Sequence, residues 1–316
     1  MQLLGLHHVT AVTANAKQNL DFYTNILGLR LVKKTVNQDD TTAYHLFYAD
    51  KLGTPGTDMT FFDWPQAGPN SDTNDGITKT MFRVSGKAAL EFWLNRFDQF
   101  QINHFGIEKL GDKDAILFTD FEGQKLALIN DESSPFLGEA WETTEISQDN
   151  AIKGFYAVEL TVPSLIEFEQ ILTNLLNFTK TQTYQSLDED KATVTIFTMD
   201  NGGSGKEVHV KEKTGMFGLV GAGGVHHVAF RTGDAKTQQA WLEKLEKFNW
   251  PNSGLVDRFY FKSLYFRVSY GILFELATDE PGFDADESID TLGENLSLPP
   301  FLESKREEIE KNLKPL

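Results

Sequence analysis

Four of the chain's seven histidines form two doublets, His7-His8 and His226-His227, set 219 positions apart. They stand in the segments Leu6-His7-His8-Val9-Thr10 and Val225-His226-His227-Val228-Ala229. Neutral imidazole is a common metal ligand. A carboxylate inside an apolar strand is costly unless it is paired or bound to a metal. Glu275, in Gly271-Ile272-Leu273-Phe274-Glu275-Leu276-Ala277, is such a carboxylate. Two imidazoles and one carboxylate on one face of an octahedral ion leave positions for substrate and O2. That pattern suits non-haem Fe(II), while Mn(II) and Zn(II) are compatible with the same residues.

Strand geometry chooses within each doublet. Side chains alternate across a strand, so Leu6, His8 and Thr10 share one face and His7, Val9 and Ala11 the other. In the second segment Val225, His227 and Ala229 oppose His226, Val228 and Phe230. The larger apolar residues should face covering helices, which nominates His8 and His227 as ligands. His7 and His226 then point away from the metal, covering the rim or, if the strand is bulged, supporting the pocket. Of the other histidines, His45 could line the pocket or simply pack beside Phe47. His104 and His209 are given no catalytic role.

The elements that must position these residues form a repeat. Each doublet opens a strand, then a helix such as Ala16–Ile26 or Ala235–Phe248, then further strands. The order recurs four times, predicting βαβββ units at 1–66, 77–131, 152–212 and 224–280, with a tail at 281–316. The fold class is therefore α+β. A single unit leaves open strand edges and a bare concave face, so the units should pair into two curved mixed-sheet barrels with helices outside. Laid over the fourth unit, the first has Thr60 where Glu275 stands, so the first supplies one ligand and the fourth two. The charged tail helix, Phe301–Leu313, reads as a surface or subunit-contact element, which leaves room for a homo-oligomer. The glycine-rich stretch Gly215–Gly224 lacks a following Lys-Ser/Thr pair and is no phosphate loop.

Composition limits the partners. The 316 residues carry 29 basic and 46 acidic groups, a net charge of −17, which opposes binding to nucleic acid or an anionic membrane. There is no cysteine, excluding disulfides, thiolate zinc sites and a cysteine nucleophile. No apolar run is long enough to span a membrane, and the N-terminus lacks the pattern of a signal peptide. A cytoplasmic protein acting on a small molecule is the expectation.

With these residues in view, the chain resembles the vicinal oxygen chelate superfamily (glyoxalase/bleomycin-resistance/extradiol dioxygenase). It is most similar to the ring-cleaving dioxygenases that act on hydroquinones. The resemblance runs through the two histidine segments, Tyr44-His45-Leu46-Phe47-Tyr48-Ala49-Asp50, Leu52-Gly53-Thr54-Pro55-Gly56-Thr57 and Phe274-Glu275-Leu276-Ala277-Thr278. It implies Fe(II) held by His8, His227 and Glu275, with a small aromatic diol and O2 as partners. It also places His7, Thr10, His226, Arg258 and Tyr265 around the metal or in the substrate pocket. On that basis His226 or His7 would move protons, and Arg258 and Tyr265 would bind substrate oxygens. Read without the resemblance, Arg258 could instead pair with Glu243, Glu246 or any other of the many surplus acids at the surface. Catechol-type dioxygenases draw their metal site from the third and fourth units, and here the third opens Gly154-Phe155-Tyr156-Ala157-Val158-Glu159, without histidine. The competing expectations are a catechol-type dioxygenase, a glyoxalase-like isomerase or lyase, and a non-enzymatic binder of small aromatics or antibiotics.

Overall fold

The computed structural model describes residues 1–132, 134–187 and 191–316. In chain order, the first unit comprises β1 (Leu6–Thr13), α1 (Ala16–Asp21), β2 (Arg30–Asn37), β3 (Asp40–Ala49) and β4 (Asp58–Asp63). The second comprises β5 (Gly76–Val84), α2 (Gly86–Gln99), β6 (His104–Leu110), β7 (Lys113–Thr119) and β8 (Lys125–Asn130). Next come β9 (Phe155–Val162), α3 (Leu165–Gln170), β10 (Thr179–Gln185), β11 (Thr193–Thr198) and β12 (Glu207–Glu212). The fourth holds β13 (Val225–Gly233), α4 (Ala235–Lys247), β14 (Leu255–Asp257), β15 (Lys262–Arg267) and β16 (Leu273–Thr278). A short helix, α5 (Arg306–Asn312), ends the chain. The expected order βαβββ is thus present four times.

Pairing follows from the edges. One eight-stranded sheet has the order β14-β15-β16-β13-β1-β4-β3-β2 and joins the first unit to the fourth. The other, β10-β11-β12-β9-β5-β8-β7-β6, joins the second to the third. Each seam is an antiparallel pair of first strands, β1 with β13 and β5 with β9. The histidine doublets, far apart in sequence, therefore meet on adjacent strands.

Both seams carry bulges at matching places. Along β1 and β13, Leu6 faces Phe230 and His8 faces Ala229, so His7 is an extra residue; Thr10 faces His227 and Ala11 faces Val225, so His226 is another. Along β5 and β9, Thr78 and Tyr156 are the extra residues at the corresponding steps. A bulge shifts side-chain phase by one residue and increases local twist. Because it recurs in the seam without the doublets, it belongs to the fold and not to the histidines.

Helices seal the outer faces. In α4 the buried positions are Gln238, Trp241 and Leu245, one stripe at helical spacing. Gln238 is fully buried, and its Nε2 donates to the carbonyls of Lys262 (2.6 Å) and Leu276 (2.8 Å). That fixes the helix over the strands carrying Tyr265 and Glu275. Asp234 caps the helix by accepting from the Thr237 amide (2.6 Å).

One expectation is corrected below. Strand β14 stops at Asp257, because Phe259 takes φ 71° and the Arg258 amide turns to the Phe261 carbonyl (3.0 Å). Arg258 consequently leaves from a turn. The tail is not merely a surface element. Phe283 and Leu292 enter the apolar cluster of Val32, Phe47, Tyr260 and Phe261, while Leu298, Leu302 and Ile309 cover Val36. Lys33, fully buried, reaches Asp286 (2.7 Å) and Glu287 of the same tail.

Candidate metal centre

The concave side of the first sheet gathers His8 from β1, His227 from β13 and Glu275 from β16. Register does this: His8 and Glu275 are both cross-strand partners of Ala229, and His227 lies two residues away on the same face. Glu275 Oε2 is 3.1 Å from His8 Nε2 and 3.0 Å from His227 Nε2, and the two nitrogens are 3.3 Å apart. All three residues are buried, Glu275 completely. Its other oxygen accepts from Ser263 Oγ at 2.5 Å.

The bulges turn His7 and His226 toward their neighbours, against the parity argument that would point them away. His7 Nδ1 lies 2.9 Å from His8 Nδ1, and His226 Nδ1 lies 2.8 Å from His227 Nδ1. His7 Nε2 lies 3.1 Å from the Thr278 carbonyl, which can only accept. The proton order follows. His7 donates from Nε2 to Thr278, so its Nδ1 is a lone pair and must accept from His8 Nδ1–H. That leaves His8 Nε2 a lone pair aimed at Glu275. Burial drives the His7 and His226 imidazoles down to about 3 and lowers His227, so these rings are neutral near pH 7.

Acceptor atoms thus converge on one point. Glu275 Oε2 is buried without a hydrogen-bond donor, and lone pairs at 3.0–3.3 Å repel unless a cation lies among them. A divalent ion with bonds of about 2.1 Å to donors at right angles requires them about 3.0 Å apart. The residues fit a divalent metal. Thr60, the first unit's counterpart of Glu275, offers no carboxylate, and its Oγ1 is engaged with Thr10 Oγ1 (2.8 Å) and His45 Nε2 (3.0 Å). In the other sheet the registers put Lys79, Ala157 and His209 where His8, His227 and Glu275 stand, and Lys79 pairs with Glu159 at 3.0 Å.

A recess of about 460 Å³, including its mouth, opens beside the triad. His8, His227, His45, Arg258 and Tyr265 reach it between the rings of Phe47, Phe62, Tyr260 and Phe261. Tyr265 is the strand partner of Glu275, and its hydroxyl accepts from Arg258 Nε (3.3 Å). Burial and the Glu275 charge raise the Tyr265 phenol, keeping its proton in place. Arg258 is held through two bonds of 3.2 and 2.9 Å by Asp39, one of the surplus acids at the surface, and still reaches the recess. Thr10 sits beside His227 in register and receives the Thr60 hydroxyl. His226 packs edge-on to Phe62, which lines the recess, and to Trp64.

Sequence reasoning passed over Ser263 and Asp39. Ser263 shares a strand face with Tyr265, so its place beside Glu275 follows once β15 is paired with β16. Asp39 lies in the turn between β2 and β3, 219 residues from its partner, and nothing local announces it.

Comparison with known proteins agrees with this geometry. The family model for the Glyoxalase/Bleomycin resistance protein/Dioxygenase superfamily matches residues 5–120. The proposed ring-cleaving dioxygenase MhqA of Bacillus subtilis is 44% identical over 100% of both chains. The chain belongs to this superfamily. Two further proposed ring-cleaving dioxygenases of Bacillus subtilis, MhqE and MhqO, are 39% and 36% identical over 98% and 99% of this chain and 98% and 96% of their own. A solved structure of a proposed dioxygenase from Bacillus subtilis has a TM-score of 0.91 at 34% identity, covering 100% of this chain and 98% of the other. The chlorohydroquinone/hydroquinone 1,2-dioxygenase of Sphingobium indicum is 29% identical over 96% of this chain and 94% of its own. Together with the triad, membership makes this a metal-dependent enzyme of the superfamily.

Proposed function

We propose that the protein is an Fe(II)-dependent ring-cleaving dioxygenase that inserts O2 into a hydroquinone-like para-diol. The observation that carries this reading is the cluster of His8, His227 and Glu275, within 3.3 Å of one another at the end of an aromatic-walled recess. Its likeness to relatives named for ring cleavage, one of them for hydroquinone, supports the substrate class. The spacing argues against a binder of aromatics whose three residues hold no metal together.

Bound to the triad, Fe(II) supplies the Lewis acidity that ionises a phenol and the redox activity that O2 requires. The chain's own groups do the rest. His7 and Thr278 hold His8 in the tautomer that presents Nε2, and His226 does the same for His227. Tyr265 accepts from Arg258 and so keeps its own hydrogen to give to the substrate oxygen near the triad. Arg258 balances negative charge that grows there. His226 is the proposed proton carrier, at Nε2, because both nitrogens of His7 are committed. Phe47, Phe62 and Phe261 hold the ring and exclude water.

The test is oxygen uptake after anaerobic loading with Fe(II), on hydroquinone and on catechol. Uptake with hydroquinone is expected. Uptake with neither diol overturns the reading, and uptake with catechol alone replaces its substrate class.

A further inference from the structure

We propose that His45 reads the second hydroxyl of the substrate, accepting its hydrogen bond at Nδ1; this rests on the para-diol reading above. Proton counting comes first. Thr60 gives its single hydroxyl hydrogen to Thr10 (2.8 Å), so its contact with His45 Nε2 (3.0 Å) requires the hydrogen on Nε2. A neutral imidazole protonated there carries a lone pair at Nδ1. Among the described residues Nδ1 has no partner, and the ring lines the recess. Phe47 and Phe62 pack against the ring, with centroids 4.0 and 4.5 Å away. Burial keeps it neutral, lowering its pKa well below the usual value.

Position gives the acceptor its meaning. His45 lines the same recess as the ligands, and the Phe62 ring borders both it (4.5 Å) and His227 (6.3 Å). Arg258 and Tyr265 come from the fourth unit, whereas His45 comes from the first. A para-diol with one oxygen at the triad carries its other hydroxyl across the ring, toward His45. An ortho-diol brings both oxygens to the triad and leaves Nδ1 unused. A half-buried acceptor among phenylalanines is poorly satisfied by a ligand without a donor there, and this is a basis for selection.

Calorimetric binding without oxygen, on Zn(II)-loaded protein, tests this with hydroquinone and 4-methoxyphenol, which lacks the second donor. The unaltered protein should bind hydroquinone up to about tenfold more tightly. In His45→Phe the two affinities should become equal, and in His45→Asn, which keeps an acceptor, part of the difference should remain. Equal affinities in the unaltered protein, or an undiminished preference in His45→Phe, overturn the proposal. If hydroquinone still drives oxygen uptake in that last case, the function stands and only the role of His45 falls. Failure to bind either phenol, with no uptake, removes both. The unaltered protein's own comparison decides the matter even if a variant does not fold.

Discussion

At the scale of residues, the centre is a problem in placing lone pairs. Glu275 Oε2 and the Nε2 atoms of His8 and His227 converge, and a metal among them needs all three as lone pairs. His7 matters because it takes the His8 hydrogen that could spoil this arrangement, as His226 does for His227. Replacing it, as His7→Phe, should lower metal affinity about 10- to 100-fold while leaving the three ligands in place, as measured by competition with a chelator. The same burial sets the pH dependence of the metal-free protein. His7 titrates near 3 folded and near 6.5 unfolded, so between these values the unfolded chain binds more protons. Stability then rises with pH through that window, by up to about 1.4 kcal/mol per pH unit for this group, and is lost as pH falls. His226 adds in the same direction. Denaturant midpoints across pH 3–7 that stayed level would contradict it.

Elements decide how those residues face. The bulges at His7 and His226 recur at Thr78 and Tyr156, so the backbone turns adjacent side chains together whatever residues stand there. The turn between β2 and β3 brings Asp39 across the mouth of the recess to Arg258, which itself leaves from a turn. Asp39 is largely exposed, so its ion pair adds little to stability. Its effect should be on position. Asp39→Ala is expected to raise KM for the diol several-fold, with unchanged metal content and melting temperature. A normal KM would mean that Tyr265 alone positions Arg258.

For the molecule as a whole, the first sheet needs its tail. Phe283 and Leu292 pack into the cluster that walls the recess, and Lys33 meets Asp286 and Glu287 across more than 250 residues of chain. Lys33→Met removes the cation and leaves two mostly buried carboxylates facing each other. A loss of about 3–5 kcal/mol in denaturant unfolding is expected. Among the described residues no helix is long and apolar enough to cross a membrane.

By itself the sequence determined the repeat, the α+β class and the ligands. Hydrophobic alternation, helix spacing and a carboxylate in an apolar strand are local signals, and two doublets at one point of a repeat must meet if the units pair. Side-chain parity then named His8 and His227. Tertiary structure decided what parity could not. A bulge inserts one residue and shifts the phase of the strand, and it is defined only by the partner strand, so His7 and His226 turn beside the ligands. Asp39, the tail and the acceptor face of His45 depend on contacts between distant segments, for which no nearby residue carries a sign.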